Sequence, residues 1–325
     1  MEDEHEEAGL GLPGLTDDGV ASAYGGTSSY PEAGLPAYST PAYVRTTSPF
    51  KLLAVDLDGT LLSRDGVPHD VDRHAIARLR EAGVPTTVIT GRLYSGSCDI
   101  ARSIGVHGPI GCVDGSQIVD TRTDKEVYVR SMGVDIARTM RDLLASHDAT
   151  SFLFAQDLIV HDSAGAPFAH YVRTWSPRIE IVERVIDHPH WEHDAGVMAV
   201  VALGATDQIL AICERLRADL AHATFVVDFP VARLQGTHAL VARASGATKG
   251  TAVEWLARHH GITPAEVVVV GDWVNDVPMF HTAGRSFVMG QAPETVKRAA
   301  SDRLLADSSS GGGIAEAIRE VWGLL

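Results

Sequence analysis

The chain is short of positive charge. Its 325 residues hold 27 lysines and arginines against 42 aspartates and glutamates, a formal net charge of −15. Phosphate backbones are bound by basic patches, so this balance argues against a nucleic-acid surface. Small phosphorylated ligands stay open, because one bound cation and one lysine can outweigh the global field locally. Cysteine is scarce too. Cys98, Cys112 and Cys213 are odd in number and far apart, which excludes a disulfide framework and a zinc-ligand spacing; they read as free thiols in a reducing compartment. No apolar run reaches the roughly 18 residues of a membrane span. The acidic start (Glu2, Asp3, Glu4, Glu6, Glu7) lacks the basic opening of a signal peptide. The expectation is a cytoplasmic protein with no membrane and no nucleic acid as partner.

What is present is enough for a core: 45% of residues are hydrophobic, and the length fits two domains or one large one. The apolar run Leu52–Val55 ends in Asp56 and Asp58, followed at once by Gly59 and Thr60. Such a run, bounded by a turn signal, reads as a strand buried on both faces of a parallel sheet. Carboxylates are expensive next to it unless paired, hydrogen-bonded or bound to metal, and ligands bind at the carboxyl ends of such strands. The signature recurs where Pro85–Ile89 runs into Thr90, Gly91 and Arg92, and where Val267–Val270 runs into Gly271, Asp272, Asn275 and Asp276. Lys249 stands between these two, at the predicted start of a helix, where its charge opposes the helix dipole unless an anion is near.

Residues 1–47 are rich in Gly, Pro, Ser and Ala and carry eight acids against Arg45 alone. They read as a disordered acidic tail, with Tyr24, Tyr30, Tyr38 and Tyr43 as the means of reaching a protein partner. Beyond the tail, helices predicted over 70–82 and 94–104 alternate with strands, including one over 109–113, which gives a Rossmann-like, doubly wound parallel sheet. From Gln117 the rhythm changes to apparent hairpins, at 117–121 with 126–130 and at 151–155 with 158–161, plus helices over 134–147 and 206–220. The expected organisation is an α/β core over 48–115 and 243–325, with an inserted α+β cap domain, a substrate lid, over 116–242.

These stretches resemble the haloacid dehalogenase-like hydrolases, and among them the Cof-type phosphatases. Asp56-Leu-Asp58-Gly-Thr60 matches the first motif, Thr90-Gly91-Arg92 lies in the second, Lys249-Gly250 in the third, and Gly271 to Asp276 in the fourth. The resemblance covers roughly residues 50–325. It implies a phosphoric monoester hydrolase that uses Mg2+ and acts on a small phosphorylated metabolite, with the large insert as an α/β cap. It casts Asp56 as nucleophile and Asp58 as general acid and base. Asp56, Asp58, Asp272 and Asp276 would hold the metal, Asp58 through its backbone carbonyl. Thr90, Gly91, Lys249 and Asn275 would bind the phosphate. A phosphosugar mutase would keep the same motifs, and a phosphate-binding regulator without turnover is a third reading. Two departures stand out. Asp114-Gly115-Ser116 replaces the usual Asn-Gly-Ala, and Trp273 takes a place usually small or polar. Arg92, Asp114 and Gly115 are therefore the candidates for substrate specificity.

Overall fold

The structure, a computed structural model, describes residues 47–324 apart from 195 and 232–233. The tail, with its tyrosines, lies outside the described residues except for Thr47. In chain order the first elements are β1 (Leu52–Val55), α1 (Asp70–Glu81), β2 (Thr86–Val88), α2 (Cys98–Ser103), β3 (Pro109–Cys112), β4 (Gln117–Asp120) and β5 (Lys125–Val129). There follow α3 (Val134–Ser146), β6 (Thr150–Ala155), β7 (Leu158–His161), α4 (Ala169–Val172), β8 (Ile179–Ile181), β9 (Ala199–Ala205), α5 (Thr206–Leu220), β10 (Thr224–Pro230) and β11 (Thr237–Ala244). The chain closes with α6 (Lys249–His259), β12 (Val267–Gly271), α7 (Val277–Thr282), β13 (Arg285–Val288), α8 (Glu294–Lys297), β14 (Asp302–Arg303) and α9 (Gly313–Trp322). They form two compact units, one of residues 92–96 and 128–247, the other of the remaining described residues.

The second unit is the α/β core. Its sheet runs β14-β13-β12-β1-β2, and every pairing is parallel. Leu52, Leu53, Ala54 and Val55 have no exposed surface, as do Val267–Val270, which is why both strands read as unbroken apolar runs. From β1 the chain moves to β2 on one side; from β12 it moves to β13 and β14 on the other. Right-handed crossovers therefore put α1 and α7 on opposite faces. The order reverses between β1 and β12, and a ligand crevice opens at such a switch point, beyond the carboxyl ends of the strands. Packing of α1 against α9 is fixed by a buried carboxylate: Asp72 accepts the Gly312 and Ala315 amides, each at 2.9 Å, at the start of α9.

The other unit is α+β. Its sheet runs β10-β11-β9-β6-β7-β8, antiparallel except between β7 and β8. Met140 and Leu144 of α3 and Ile209, Ile212 and Leu216 of α5 share one core with Leu153, Val200 and Leu240 of the sheet. The units divide elsewhere than at 116 and 242. β4 lies along β3 from Pro109↔Asp120 to Cys112↔Gln117, which keeps residues 97–127 with the core. At the far end β11, a strand the sequence pattern did not announce, carries the α+β unit on to Ala247. No helix among the described residues is long and apolar enough to cross a membrane.

Candidate active site

The site lies within the core unit, at the switch point. The Asp56 amide donates to Val270 O at 3.0 Å, so the residue that ends β1 is held against the end of β12. Asp56 is 4% exposed, Asp272 8% and Asp276 not at all. Carboxylate oxygens of these three lie within 4.8 Å of one another. Lys249, 1% exposed at the first position of α6, sends its Nζ to Asp56 Oδ1 and to Asp276 Oδ1, both at 2.6 Å. Asp276 Oδ2 accepts the Asp272 and Trp273 amides at 2.8 and 2.9 Å, which folds the loop after β12 around its own carboxylate. Thr60 Oγ1 donates to Asp272 Oδ1 at 3.2 Å. Gly59 is required here: its φ is +77°, and a Cβ would stand 2.2 Å from Asp272 Oδ2.

Three buried acids around one ammonium make a strained charge balance. Burial pushes the Asp56 carboxyl well above the usual carboxylate range; Lys249 opposes this, while Asp276, Asp272 and Asp58 add repulsion. Burial and the charge of Asp276 push Asp272 up to about 7, against the pull of Lys249. Burial would strip Lys249 of its proton, but Asp276, Asp56 and Asp114 hold the ammonium well above its ordinary value. Surplus negative charge on hard oxygen donors in a buried cluster suits a divalent cation such as Mg2+. Asp276 is the most engaged of the three, with Lys249 on Oδ1 and two amides on Oδ2. Asp272 accepts only the longer contacts from Thr60 and Gln291, at 3.2 and 3.4 Å, and Asp56 holds Lys249 through Oδ1.

Asp58 is exposed just beyond Asp56, where a reacting group can reach it. Thr90 is fully buried; its amide donates to Gly111 O and its carbonyl accepts the Asp114 amide, both at 2.9 Å. Asn275 Nδ2 donates to Asp114 Oδ1 at 2.8 Å, and a Cβ on Gly91 would sit 3.4 Å from that oxygen. The core unit thus gathers every named site residue but one. Arg92 belongs to the other compact unit, where its Nη1 donates to Gly96 O at 3.3 Å. Gln291 was not foreseen. Its Nε2 donates to Gly59 O at 2.6 Å and approaches Asp272 Oδ2 at 3.4 Å. The signal was the familiar one, an apolar strand (β13) running into a glycine and a polar residue, Gly290 and Gln291.

Residues 53–318 match the family model of the haloacid dehalogenase-like hydrolases, and the chain belongs to that family. A 5-amino-6-(5-phospho-D-ribitylamino)uracil phosphatase of Bacillus subtilis is 26% identical over 270 residues, covering 83% of this chain and 94% of that one. A pyridoxal phosphate phosphatase of Escherichia coli is 25% identical, covering 77% of this chain and 92% of its own. An Arabidopsis thaliana protein named as a chloroplastic endoribonuclease is 24% identical over 83% of this chain; the chain spans 46% of that protein's length. Among solved structures, a haloacid dehalogenase-like hydrolase from Bacteroides thetaiotaomicron shares the fold with a TM-score of 0.70 at 22% identity. The match covers 84% of this chain and 99% of that one.

Proposed function

We propose that this chain is a Mg2+-dependent phosphatase that hydrolyses a small phosphomonoester through an aspartyl-phosphate on Asp56. The observation that carries the reading is the placement of Lys249 Nζ on Asp56 and Asp276 at once, beside the Asp272 carboxylate. A lysine held at Oδ1 leaves Oδ2 of Asp56 to attack phosphorus. The bond from phosphorus to the leaving oxygen breaks, and Asp58 gives that oxygen its proton. Asp58 then takes a proton from water, and the water oxygen attacks phosphorus. This releases inorganic phosphate and restores the Asp56 carboxylate. Mg2+, held by Asp56, Asp272 and the Asp58 carbonyl with Asp276 behind them, would neutralise charge on the transferring group. The Thr90 hydroxyl, the Gly91 amide, Asn275 and the third donor of Lys249 bind phosphoryl oxygens.

The relatives named as phosphatases of pyridoxal phosphate and of a phosphoribitylamino-uracil support a phosphorylated metabolite of that size as substrate. We assign its recognition to the α+β unit, as the substrate lid, together with Arg92, Asp114 and Gly115. A cytoplasmic setting accords with the three cysteine thiols. The test is phosphate release from a panel of phosphorylated metabolites, with Mg2+ or with chelator, by the wild type and by Asp56→Asn. Release that needs Mg2+ and falls by at least about 1,000-fold in a folded Asp56→Asn supports the reading. Release by Asp56→Asn at the wild-type rate, or none from any monoester, overturns it.

A further inference from the structure

We propose that Asp114 is a positioning residue: its carboxylate fixes which face the Asn275 amide turns to the phosphate cradle. The catalytic consequence rests on the phosphatase reading above; the positioning itself does not.

The first observation is backbone strain. Val113, Asp114 and Gly115 have φ of +48°, +51° and +92°, three left-handed residues in succession, one of them β-branched. Side chains rarely adopt this conformation, and it persists where the surroundings over-determine it. Here they do so from three sides. The Asp114 amide donates to Thr90 O at 2.9 Å. Gly115 lies on Thr248, which caps α6 directly before Lys249; a Cβ on Gly115 would meet Thr248 O at 2.3 Å. Asp114 Oδ1 accepts from Asn275 Nδ2 at 2.8 Å. One tight loop outside the four motifs therefore touches the ends of β2, of α6 and of the loop after β12. The strain goes into delivering this carboxylate to Asn275 and Gly91.

The second observation is chemical. An Asn amide carries an acceptor at one end and two donors at the other, and an isolated Asn can present either. A carboxylate only accepts, so Asp114 dictates that Asn275 turns its NH2 group this way, by a charge-assisted bond. The remaining N–H and the amide oxygen then have fixed directions beside Gly91. Without Asp114 the amide is free to flip, and in the flipped state its oxygen replaces a donor where phosphoryl oxygens bind.

The test reads the amide directly and then through catalysis. In a 15N-labelled protein the Asn275 side-chain NH2 is identified by its loss in Asn275→Ala. In the wild type one of its protons is shifted downfield and exchanges slowly with water. Asp114→Ala abolishes both features. Asp114→Asn, which keeps a neutral acceptor, falls between the two and carries the test if the alanine variant does not fold. In kinetics Asp114→Ala lowers kcat about ten- to a hundred-fold; added to Asn275→Ala it changes kcat less than about two-fold. Unchanged amide signals in Asp114→Ala, or effects that multiply in the double variant, overturn the proposal. If the wild type releases no phosphate, the phosphatase reading falls, and the amide spectrum still decides the positioning.

Discussion

The two compact units treat charge in opposite ways. In the core, Asp56, Lys249, Asp272 and Asp276 are buried together where two parallel strands end. In the α+β unit the ion pairs sit at the surface: Arg138 and Arg141 converge on Glu192, and Arg215 meets Asp219 along α5. Arg243 and the Asp228–His238 pair are exceptions: Arg243 is 5% exposed and placed 5.5 Å from the centre of the Phe225 ring, and His238, 8% exposed, lies 3.1 Å from Asp228 Oδ2. Burying charge is costly unless something compensates it, so the buried cluster points to a ligand and the surface pairs do not. The core accordingly declares its chemistry, while the α+β unit, built on an apolar interior, declares only its fold.

Breaking the core cluster has the largest effect. Lys249→Met removes the one cation between Asp56 and Asp276, and turnover is expected to fall at least about 1,000-fold. Stability drops by about 3 kcal/mol, measured by denaturant unfolding. A stable, active Lys249→Met would erase the contrast between the units. Next is Gly59→Ala, which forces a Cβ onto Asp272 Oδ2. Displacing that carboxylate by a fraction of an ångström lowers kcat/KM roughly 10- to 100-fold and raises the Mg2+ concentration giving half-maximal rate.

An ordinary ion pair within the core sharpens the comparison. Arg285 holds Asp302 at 2.9 and 3.0 Å, and this hydrogen-bonded pairing keeps the Asp302 carboxyl below its usual range although burial opposes it. A carboxyl depressed in the folded state contributes stability above its unfolded pKa, about 3.9, and loses it as pH falls through the folded value. Arg285→Met should therefore melt below the wild type at neutral pH, and the gap should narrow below about pH 4. Smallest of all is Glu192→Gln in the α+β unit. Glu192 and Arg138 are exposed and Arg141 is half-buried at the surface, so solvent screens the pairing, and neither Tm nor kcat/KM is expected to change measurably.

The legible part of the sequence was the part where local composition contradicts burial. Asp56, Asp272 and Asp276 stand at the ends of runs such as Val267–Val270 that have no reason to be followed by acids unless something uses them. Lys249 stands where a helix dipole disfavours it. The parallel order of the core followed from the same runs, and α3 and α5 from their period. β11 was missed because Arg243 interrupts its apolar pattern and the segment 231–236 that precedes it is too long for a tight hairpin turn. β4 pairs with β3 as a local hairpin across residues 113–116, passed over because 109–113 read as a strand of the parallel sheet. Gln291 follows β13 and Gly290 with the same signature, but an uncharged amide there does not contradict burial as a carboxylate does, so the signature was passed over. The bond between Asp114 and Asn275 joins residues 161 positions apart.

The central claim is that the buried carboxylates at the ends of β1 and β12 work with Lys249 as one phosphoryl-transfer centre. The most direct measurement is mass spectrometry of the peptide containing Asp56 after rapid acid quench during turnover with Mg2+. A phosphate mass added at Asp56, absent with chelator and absent in Asp56→Asn, is the predicted result. Turnover in which the label falls on another residue would contradict it.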